Sequence, residues 1–322
     1  MKILILRFSS IGDIVLTSPV VRCLKQQLNS SEIHFLTKKS FASIVENNPN
    51  VDKVFGFEKN VDEALAELKK ENYECVIDLH NNLRSMQVKR ALGKPSKSFN
   101  KLNIEKWLLV NLKINRLANK HIVDRYFETV AHLSIKNDLK GLDFFIDAKN
   151  EVDISSLALE LHNDFVAFVI GAKHNTKKLP VEKIISICKK LNRPVILIGG
   201  KEDFENGKEI EAGVKNQELR IYNACGKYNL QQSASLIKQA EKVITHDTGM
   251  MHIAAAFKKN IISVWGNTVP EFGMYPYLPG RENKIVEVKN LSCRPCSKIG
   301  FEKCPKGHFK CMNEIDETTF IT

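Results

Sequence analysis

The stretch Asp247-Thr248-Gly249-Met250-Met251-His252-Ile253-Ala254-Ala255-Ala256 decides how this chain is read. An apolar run, Lys242-Val243-Ile244-Thr245-His246, precedes it, and another, Ile261-Ile262-Ser263-Val264-Trp265-Gly266, follows it. The order is strand, tight turn, helix, strand. The turn puts the Thr248 and Gly249 amides at a helix start, where unpaired N–H groups and the helix dipole attract an anion. Gly249 keeps a side chain out of that anion's way. His252 follows about one turn later and can face the same site. A phosphate-bearing ligand is the natural occupant. An ordinary capped helix with a buried histidine is the competing reading.

Outward from this point, two alternating strand–helix halves are legible. The first opens with a strand at Ile3–Phe8, a turn at Ser9-Ser10-Ile11-Gly12-Asp13, and a helix to about Leu28 that Pro19 kinks or begins. Strands at Glu32–Thr37, Val51–Phe57 and Cys75–Leu79 follow, with helices at Val61–Lys70, Ile104–Leu117 and Arg125–Ile135. The polar stretch Lys136–Asp153 is the expected linker. The second half restarts at Phe165–Ile170, then alternates a helix at Pro180–Leu191, a strand at Val195–Ile198, a helix at Glu205–Ala212, a strand at Arg220–Tyr222 and a helix at Leu230–Gln239. Such alternation predicts an α/β chain of two parallel-sheet domains, 1–150 and 151–322. Ligands of such sheets bind beyond the carboxyl ends of the strands, so the expected active site is a cleft between the halves.

The length of 322 residues suits two domains, and 43% hydrophobic residues suffice for a packed core in each. No apolar run is long enough to span a bilayer. The N-terminal run is interrupted by Arg7 and reads as a buried strand rather than a signal peptide, so a cytoplasmic chain is expected. The net charge of +11 is unevenly spread. Between Arg84 and Arg125 stand eleven Lys or Arg against two acids, Glu105 and Asp124, so this segment carries +9. A patch of that sign suits nucleic acid, an acidic membrane surface or a phosphorylated acceptor, or is simply a solvated face.

Two more turns sit at strand ends. The first-strand turn has one glycine, Gly12, where a dinucleotide fingerprint needs three, which disfavours a Rossmann dehydrogenase. Asp13 there falls at the positive end of a helix and caps it on the simplest reading. The second turn, Gly171-Ala172-Lys173-His174-Asn175-Thr176-Lys177-Lys178-Leu179-Pro180, offers Lys173 and Lys177 to a pyrophosphate.

At this point the chain resembles the heptosyltransferase-like glycosyltransferases of family nine, nearly end to end. The N-terminal signature appears as Arg7-Phe8-Ser9-Ser10-Ile11-Gly12-Asp13-Ile14-Val15-Leu16-Thr17-Ser18-Pro19. The C-terminal one appears as Asp247-Thr248-Gly249 with His252, Ala255 and Ala256, then Trp265-Gly266-Asn267-Thr268 and Pro270. The family often has Leu where this chain has Met250, and Pro where it has Asn267.

The resemblance implies a GT-B fold, with two Rossmann-like domains facing across a cleft. It implies inverting sugar transfer from a nucleotide-diphosphate donor, ADP-heptose foremost, with no catalytic metal. Asp13 matches the proposed general base and Lys177 the lysine that steadies the donor diphosphate. Asp247, Thr248, Gly249 and His252 match the donor motif, Tyr228 falls near the adenine contacts, and Gly199-Gly200-Lys201-Glu202-Asp203 matches the loop that receives the ribose. The mechanism is chemically coherent: a base accepts the acceptor hydroxyl's proton, and a lysine with a helix start stabilises the leaving diphosphate. The implied acceptor is a phosphorylated glycolipid of the lipopolysaccharide core at the inner membrane. Arg84 is a candidate for its phosphate. The Trp107-Leu108-Leu109-Val110 helix, with Lys101, Lys106, Lys113, Arg116 and Lys120, is a candidate for docking at the anionic bilayer; an interior helix with a basic outer face is the alternative.

The C-terminal cysteines Cys293, Cys296, Cys304 and Cys311 are spaced C-x2-C-x7-C-x6-C, with His308 between the last two. The close pair resembles half of a structural zinc site, but the second pair is wide for a zinc ribbon. Free thiols packed in a loop and a redox disulfide are the other readings. Two rival functions stay open at this stage. A basic nucleic-acid-binding protein would explain the patch and the tail but not the anion-binding turns, so no nucleic-acid partner is expected. A sugar-nucleotide epimerase would share the fold.

Overall fold

The computed structural model describes residues 1–157, 164–214 and 220–321. Contacts divide the chain into two units: Met1–Leu102 with Lys120–Asp147, and Asn103–Asn119 with Ala148–Thr322.

The first unit is built on five parallel strands, β1 (Lys2–Leu6), β2 (Glu32–Lys38), β3 (Lys53–Phe57), β4 (Cys75–Asp78) and β5 (Ser96–Ser98), in the order β3-β2-β1-β4-β5. Its helices are α1 (Ile11–Val15), α2 (Ser18–Gln27), α3 (Asp62–Lys70) and α4 (Leu83–Leu92). The single helix expected up to Leu28 is in fact two, because Pro19 opens a new first turn after Leu16-Thr17. Helix α4 and strand β5 were not foreseen. Asn82 caps α4 by accepting the Ser85 N–H at 2.9 Å, and Gly93 ends it at φ 61°. Leu4, Leu6, Phe8, Leu36, Phe55, Phe57 and Tyr73 lie in one core of this unit.

Next in the chain comes α5 (Asn103–Leu112), which packs with the second unit although the sequence reading assigned it to the N-terminal half. The reason is local: Leu109 clusters with Val269 and Phe272, and Lys113 Nζ donates to the carbonyls of Cys293 and Pro295 at 3.2 and 2.7 Å. The helix stops at Lys113, which takes φ 59°, short of the expected Leu117. Helix α6 (Ile122–Phe127) returns to the first unit and is shorter than the expected Arg125–Ile135.

The second unit holds six parallel strands, β6 (Val166–Val169), β7 (Val195–Ile198), β8 (Ile221–Asn223), β9 (Lys242–His246), β10 (Asn260–Trp265) and β11 (Asn283–Glu287), in the order β11-β10-β9-β6-β7-β8. Its other helices are α7 (Val181–Leu191), α8 (Phe204–Val214), α9 (Leu230–Gln239), α10 (Gly249–Ala256) and α11 (Lys310–Asn313). The apolar runs of β6, β7, β9 and β10 are buried because helices cover such sheets on both faces.

These strand orders locate the sites. In the first sheet the order reverses between β1 and β4, and in the second between β6 and β9. A crevice opens beyond the strand ends at each reversal, because the flanking connections leave to opposite sides. The Asp13 turn follows β1; the Lys177 loop follows β6; Asp247 follows β9.

Candidate active site

In the second unit, four consecutive residues after β6 are fastened to three separate stretches of the chain. The Thr176 hydroxyl accepts the Phe301 N–H at 2.8 Å. Lys177 Nζ donates to Asp247 Oδ2 at 2.6 Å and to the Asp247 carbonyl at 3.2 Å. Lys178 Nζ pairs with Asp203 Oδ1 at 2.7 Å. The Leu179 N–H donates to His246 Nε2 at 2.9 Å. That last bond requires a neutral imidazole. Burial first, and then the Lys178 charge, depress the His246 pKa to about 3, so it stays neutral at physiological pH.

Asp247 is held from a second side, since Thr268 Oγ1 donates to its Oδ2 at 2.8 Å. Thr268 supplies this bond from the end of β10, and only its place in the quoted motif hinted at it. Thr248 is the N-cap of α10 with extended backbone, yet its hydroxyl makes no capping bond. Gly249 is the first helical residue, so the amides of the first turn keep their donor capacity for a ligand. His252 is buried one turn into α10. Lys173 is exposed on the loop before Lys177. It makes no ion pair among the described residues.

Beyond β7 and β8, Lys201, Phe204, Cys225, Gly226 and Lys227 line a pocket of about 290 Å³. Burial pushes the Cys225 thiol up to about 12, which makes it a neutral wall. Tyr228 stands beside this region with its hydroxyl 3.2 Å from that of Tyr222. Of the acids after Gly199-Gly200, Asp203 is buried and turned inward, accepting the Gly200 N–H at 2.9 Å besides Lys178. Glu202 is exposed. Asp203 therefore builds the loop, and Glu202 is its outward carboxylate.

In the first unit, Asp13 sits in the first turn of α1. Its Oδ2 accepts the Ser10 N–H and hydroxyl at 3.2 and 2.8 Å, so the capping expected of it is present. Its Oδ1 pairs with Arg7 Nη2 at 2.7 Å. Arg7 is buried, and it also donates to the Leu79 carbonyl at 2.5 Å and to the Tyr126 hydroxyl at 3.1 Å. Burial opposes the Arg7 charge, but Asp13 outweighs it and the pKa is raised. His80, beyond β4, stacks on Phe8 at 4.7 Å. Burial first, and then Arg7, depress its pKa to about 4. Arg7 stands in the quoted N-terminal signature, whereas His80 was not singled out; the β1–β4 pairing brings it to the chain that leads into the Asp13 turn. Arg84 is exposed on α4.

Helix α5 exposes polar residues such as Asn103 and Asn111 beside apolar ones. Leu109 points inward, while Ile104, Trp107 and Leu112 are 73%, 51% and 53% exposed. Among the described residues, no helix is long and apolar enough to cross a membrane.

The four tail cysteines are free thiols on the second unit. Among the described residues, the three ligand-type groups already within 4.8 Å of one another are Glu32, His34 and Glu71 of the first unit. Lys2 and Lys53 already answer those carboxylates at 2.6 to 3.1 Å, so this trio is an ion-pair network.

Known proteins resemble this chain over most of its length. Among curated relatives, lipopolysaccharide heptosyltransferase 1 of Campylobacter coli is 27% identical over 291 residues, 83% of this chain and 84% of that protein. The solved glycosyl transferase family 9 protein of Veillonella parvula matches with a TM-score of 0.72 at 22% identity, covering 88% of this chain and 85% of that one. The E. coli ADP-heptose lps heptosyltransferase II structure matches with a TM-score of 0.70 at 20% identity, covering 98% of both chains. The fold is thus GT-B, with two Rossmann-like parallel-sheet domains. The model of glycosyltransferase family 9 (heptosyltransferase) matches residues 63–304, a span that holds the Lys177 loop, Asp247, Thr248 and Thr268, and so the chain belongs to that family of glycosyltransferases.

Proposed function

We propose that this enzyme is an inverting heptosyltransferase that moves heptose from ADP-heptose to a phosphorylated acceptor of the lipopolysaccharide core. The observation that carries the proposal is Lys177 held against Asp247 at the start of α10. A cation and a row of free amides there match the charge that develops on a departing diphosphate, so the positive charge comes from the chain itself and no catalytic metal is invoked. Lys173 adds a second cation on the approach, and the 290 Å³ pocket with Tyr228 beside it takes the nucleoside, with Glu202 toward the ribose. His252 braces α10 from within the core.

In the proposed reaction Asp13 accepts the acceptor hydroxyl's proton as the oxygen attacks the anomeric carbon. Arg7 holds that carboxylate in place by pairing with its Oδ1. The C–O bond to the diphosphate breaks as the new glycosidic bond forms, and ADP leaves. One displacement inverts the anomeric centre, and it needs one catalytic carboxylate. Support for the donor comes from the matched E. coli protein, an ADP-heptose lps heptosyltransferase, and support for the acceptor class from the Campylobacter coli lipopolysaccharide heptosyltransferase.

The reading extends to the cytoplasmic face of the inner membrane. Ile104, Trp107 and Leu112 project from a segment rich in lysine and arginine, the composition of an interfacial contact. Sedimentation with anionic vesicles should capture the protein at low salt and release it at high salt; equal recovery with neutral vesicles contradicts this contact.

The central test is a donor screen by thermal shift followed by mass analysis of the product. ADP-heptose should raise Tm more than UDP or GDP sugars and add one heptose to a heptose-acceptor core glycolipid. Turnover of the nucleotide sugar without any acceptor, or preference for another nucleotide, contradicts the proposal.

A further inference from the structure

Asp247 Oδ2 accepts hydrogen bonds from two side chains that arrive from different strand ends. Lys177 Nζ stands at 2.6 Å from the loop after β6, and Thr268 Oγ1 at 2.8 Å from the end of β10. A carboxylate held by two donors keeps one orientation only while both donors are themselves fixed. Both are fixed by the segment that follows β11, residues 294–301.

That segment reaches Thr268 through Arg294. Its Nε donates to the Gly266 carbonyl at 2.5 Å, and its Nη2 to the carbonyls of Trp265 and Thr268 at 3.2 and 3.0 Å. Nη1 donates to the Val288 carbonyl at 2.6 Å, and Nη2 also pairs with Glu287 Oε2 at 2.9 Å. The Cys296 N–H takes the one carbonyl left in the turn, that of Asn267, at 3.1 Å. The carbonyls of Trp265, Gly266, Asn267 and Thr268 are thus all held by Arg294 and Cys296. The Arg294 side chain is 6% exposed and Thr268 is 1% exposed, so these bonds are shielded from water. Chain leaving a strand has no ladder to orient its carbonyls. A planar guanidinium supplies a fixed fork of donors for them, which an ammonium group does not.

Lys177 is fixed by other bonds of the same segment. The Thr176 N–H donates to the Phe301 carbonyl at 3.1 Å, and the Phe301 N–H returns to the Thr176 hydroxyl at 2.8 Å. A turn joins the two arms, with the Ser297 hydroxyl accepting the N–H groups of Ile299 and Gly300 at 3.0 Å. The arms act on different groups: Arg294 on the Thr268–Asp247 bond, Phe301 on the neighbour of the lysine.

The difference matters once a donor is bound. On the donor reading above, on which this inference rests, the diphosphate draws Lys177 away from Asp247. The Thr268 bond then keeps the carboxylate aimed at the sugar. We infer that Arg294 is a positioning residue for sugar transfer: through Thr268 it holds Asp247 in place while Lys177 is engaged with the diphosphate. Arg294 itself touches neither donor nor acceptor in this role.

The test is a double-mutant cycle on the full-length enzyme: wild type, Thr268→Val, Arg294→Lys and the double variant. It is run at saturating ADP-heptose, or with whichever nucleotide sugar the wild type turns over fastest. Thr268→Val removes the hydroxyl and keeps the carbonyl; Arg294→Lys keeps the charge and removes the fork. Each single variant should lower kcat about tenfold while the Kd for the matching nucleoside diphosphate stays within about twofold. The double variant should also be down about tenfold rather than about 100-fold, because both changes cut the same link. A guanidinium that only fastens β11 to β10 would lower Tm in Arg294→Lys and leave kcat of the folded enzyme unchanged, and that result overturns the assignment. Losses that multiply in the double variant overturn it too, as does a loss of nucleotide affinity as large as the loss of kcat. Should Arg294→Lys not fold, Glu287→Ala loosens the same guanidinium and should cost about threefold in kcat, a loss that vanishes in the Thr268→Val background. An equal loss in both backgrounds, or none in either, overturns the inference. A wild type that prefers a UDP or GDP sugar counts against the ADP-heptose reading alone, because the cycle is read with the donor that is turned over.

Discussion

Lys177 and Asp247 are 70 residues apart in sequence, yet the lysine Nζ lies 2.6 Å from the carboxylate Oδ2. Their side chains are 15% and 13% exposed, so salt screens the pair less than it would a surface bridge. The carboxylate holds a cation ready at the start of α10. A diphosphate can replace it as the lysine's partner and leave Asp247 free to turn to the sugar hydroxyls.

Lys177→Ala should therefore weaken ADP binding and lower kcat/KM by about 100- to 1,000-fold. Asp247→Asn should spare ADP binding more than it spares transfer, since the lysine remains. Calorimetry with ADP beside a transfer assay separates the two effects. Wild-type ADP affinity in Lys177→Ala would refute the assignment.

Asp13→Asn should slow transfer by about 100-fold or more while ADP affinity stays unchanged, because Asp13 and Lys177 belong to different units. Single-turnover rates with saturating donor are the measurement. A parallel loss of ADP binding would instead mark Asp13 as structural through its bond to Ser10.

Acid should destabilise the second unit through His246. Its pKa is near 6.5 when unfolded and about 3 when folded, so the neutral form is the native one. Stability is complete above the unfolded value and declines as pH falls from about 6.5 toward 3, by roughly 2 kcal/mol at pH 5. Urea unfolding at pH 7.5 and pH 5 should show the loss, and His246→Asn should flatten this slope even if the variant is less stable at neutral pH.

Gly171→Ala should be costly although the residue is small. An added Cβ would lie 2.3 Å from Asp203 Oδ2 and 3.2 Å from the Gly199 Cα. Asp203 cannot yield without losing Lys178 and the Gly200 N–H. A loss of about 1–3 kcal/mol is expected, read as a fall in Tm. Gly93→Ala, with nothing within 4 Å but φ 61°, tests backbone strain alone.

The strands and helices of the second half were largely legible, because buried parallel strands are continuous apolar runs and the helices between them keep helical spacing. Strand β5, Ser96–Ser98, was invisible for the opposite reason: all three residues are exposed, and only pairing with β4 makes them a strand. Helix α4 was missed because its pattern is weakly amphipathic, although Asn82 marked its start.

Of the candidate site, the sequence alone determined the turns, their glycines and the charges they carry, since local backbone chemistry fixes those. It named Lys177, Asp247 and Asp13 without saying which of them touch. Tertiary structure decided the partners: Lys177 with Asp247, Asp13 with Arg7, Asp203 turned inward to Lys178, and α5 seated on Val269 and Phe272. The physical reason is strand order. Parallel pairing of β6 with β9, and of β1 with β4, brings distant loops to one crevice, and hydrophobic periodicity along a chain carries no record of which strands become neighbours.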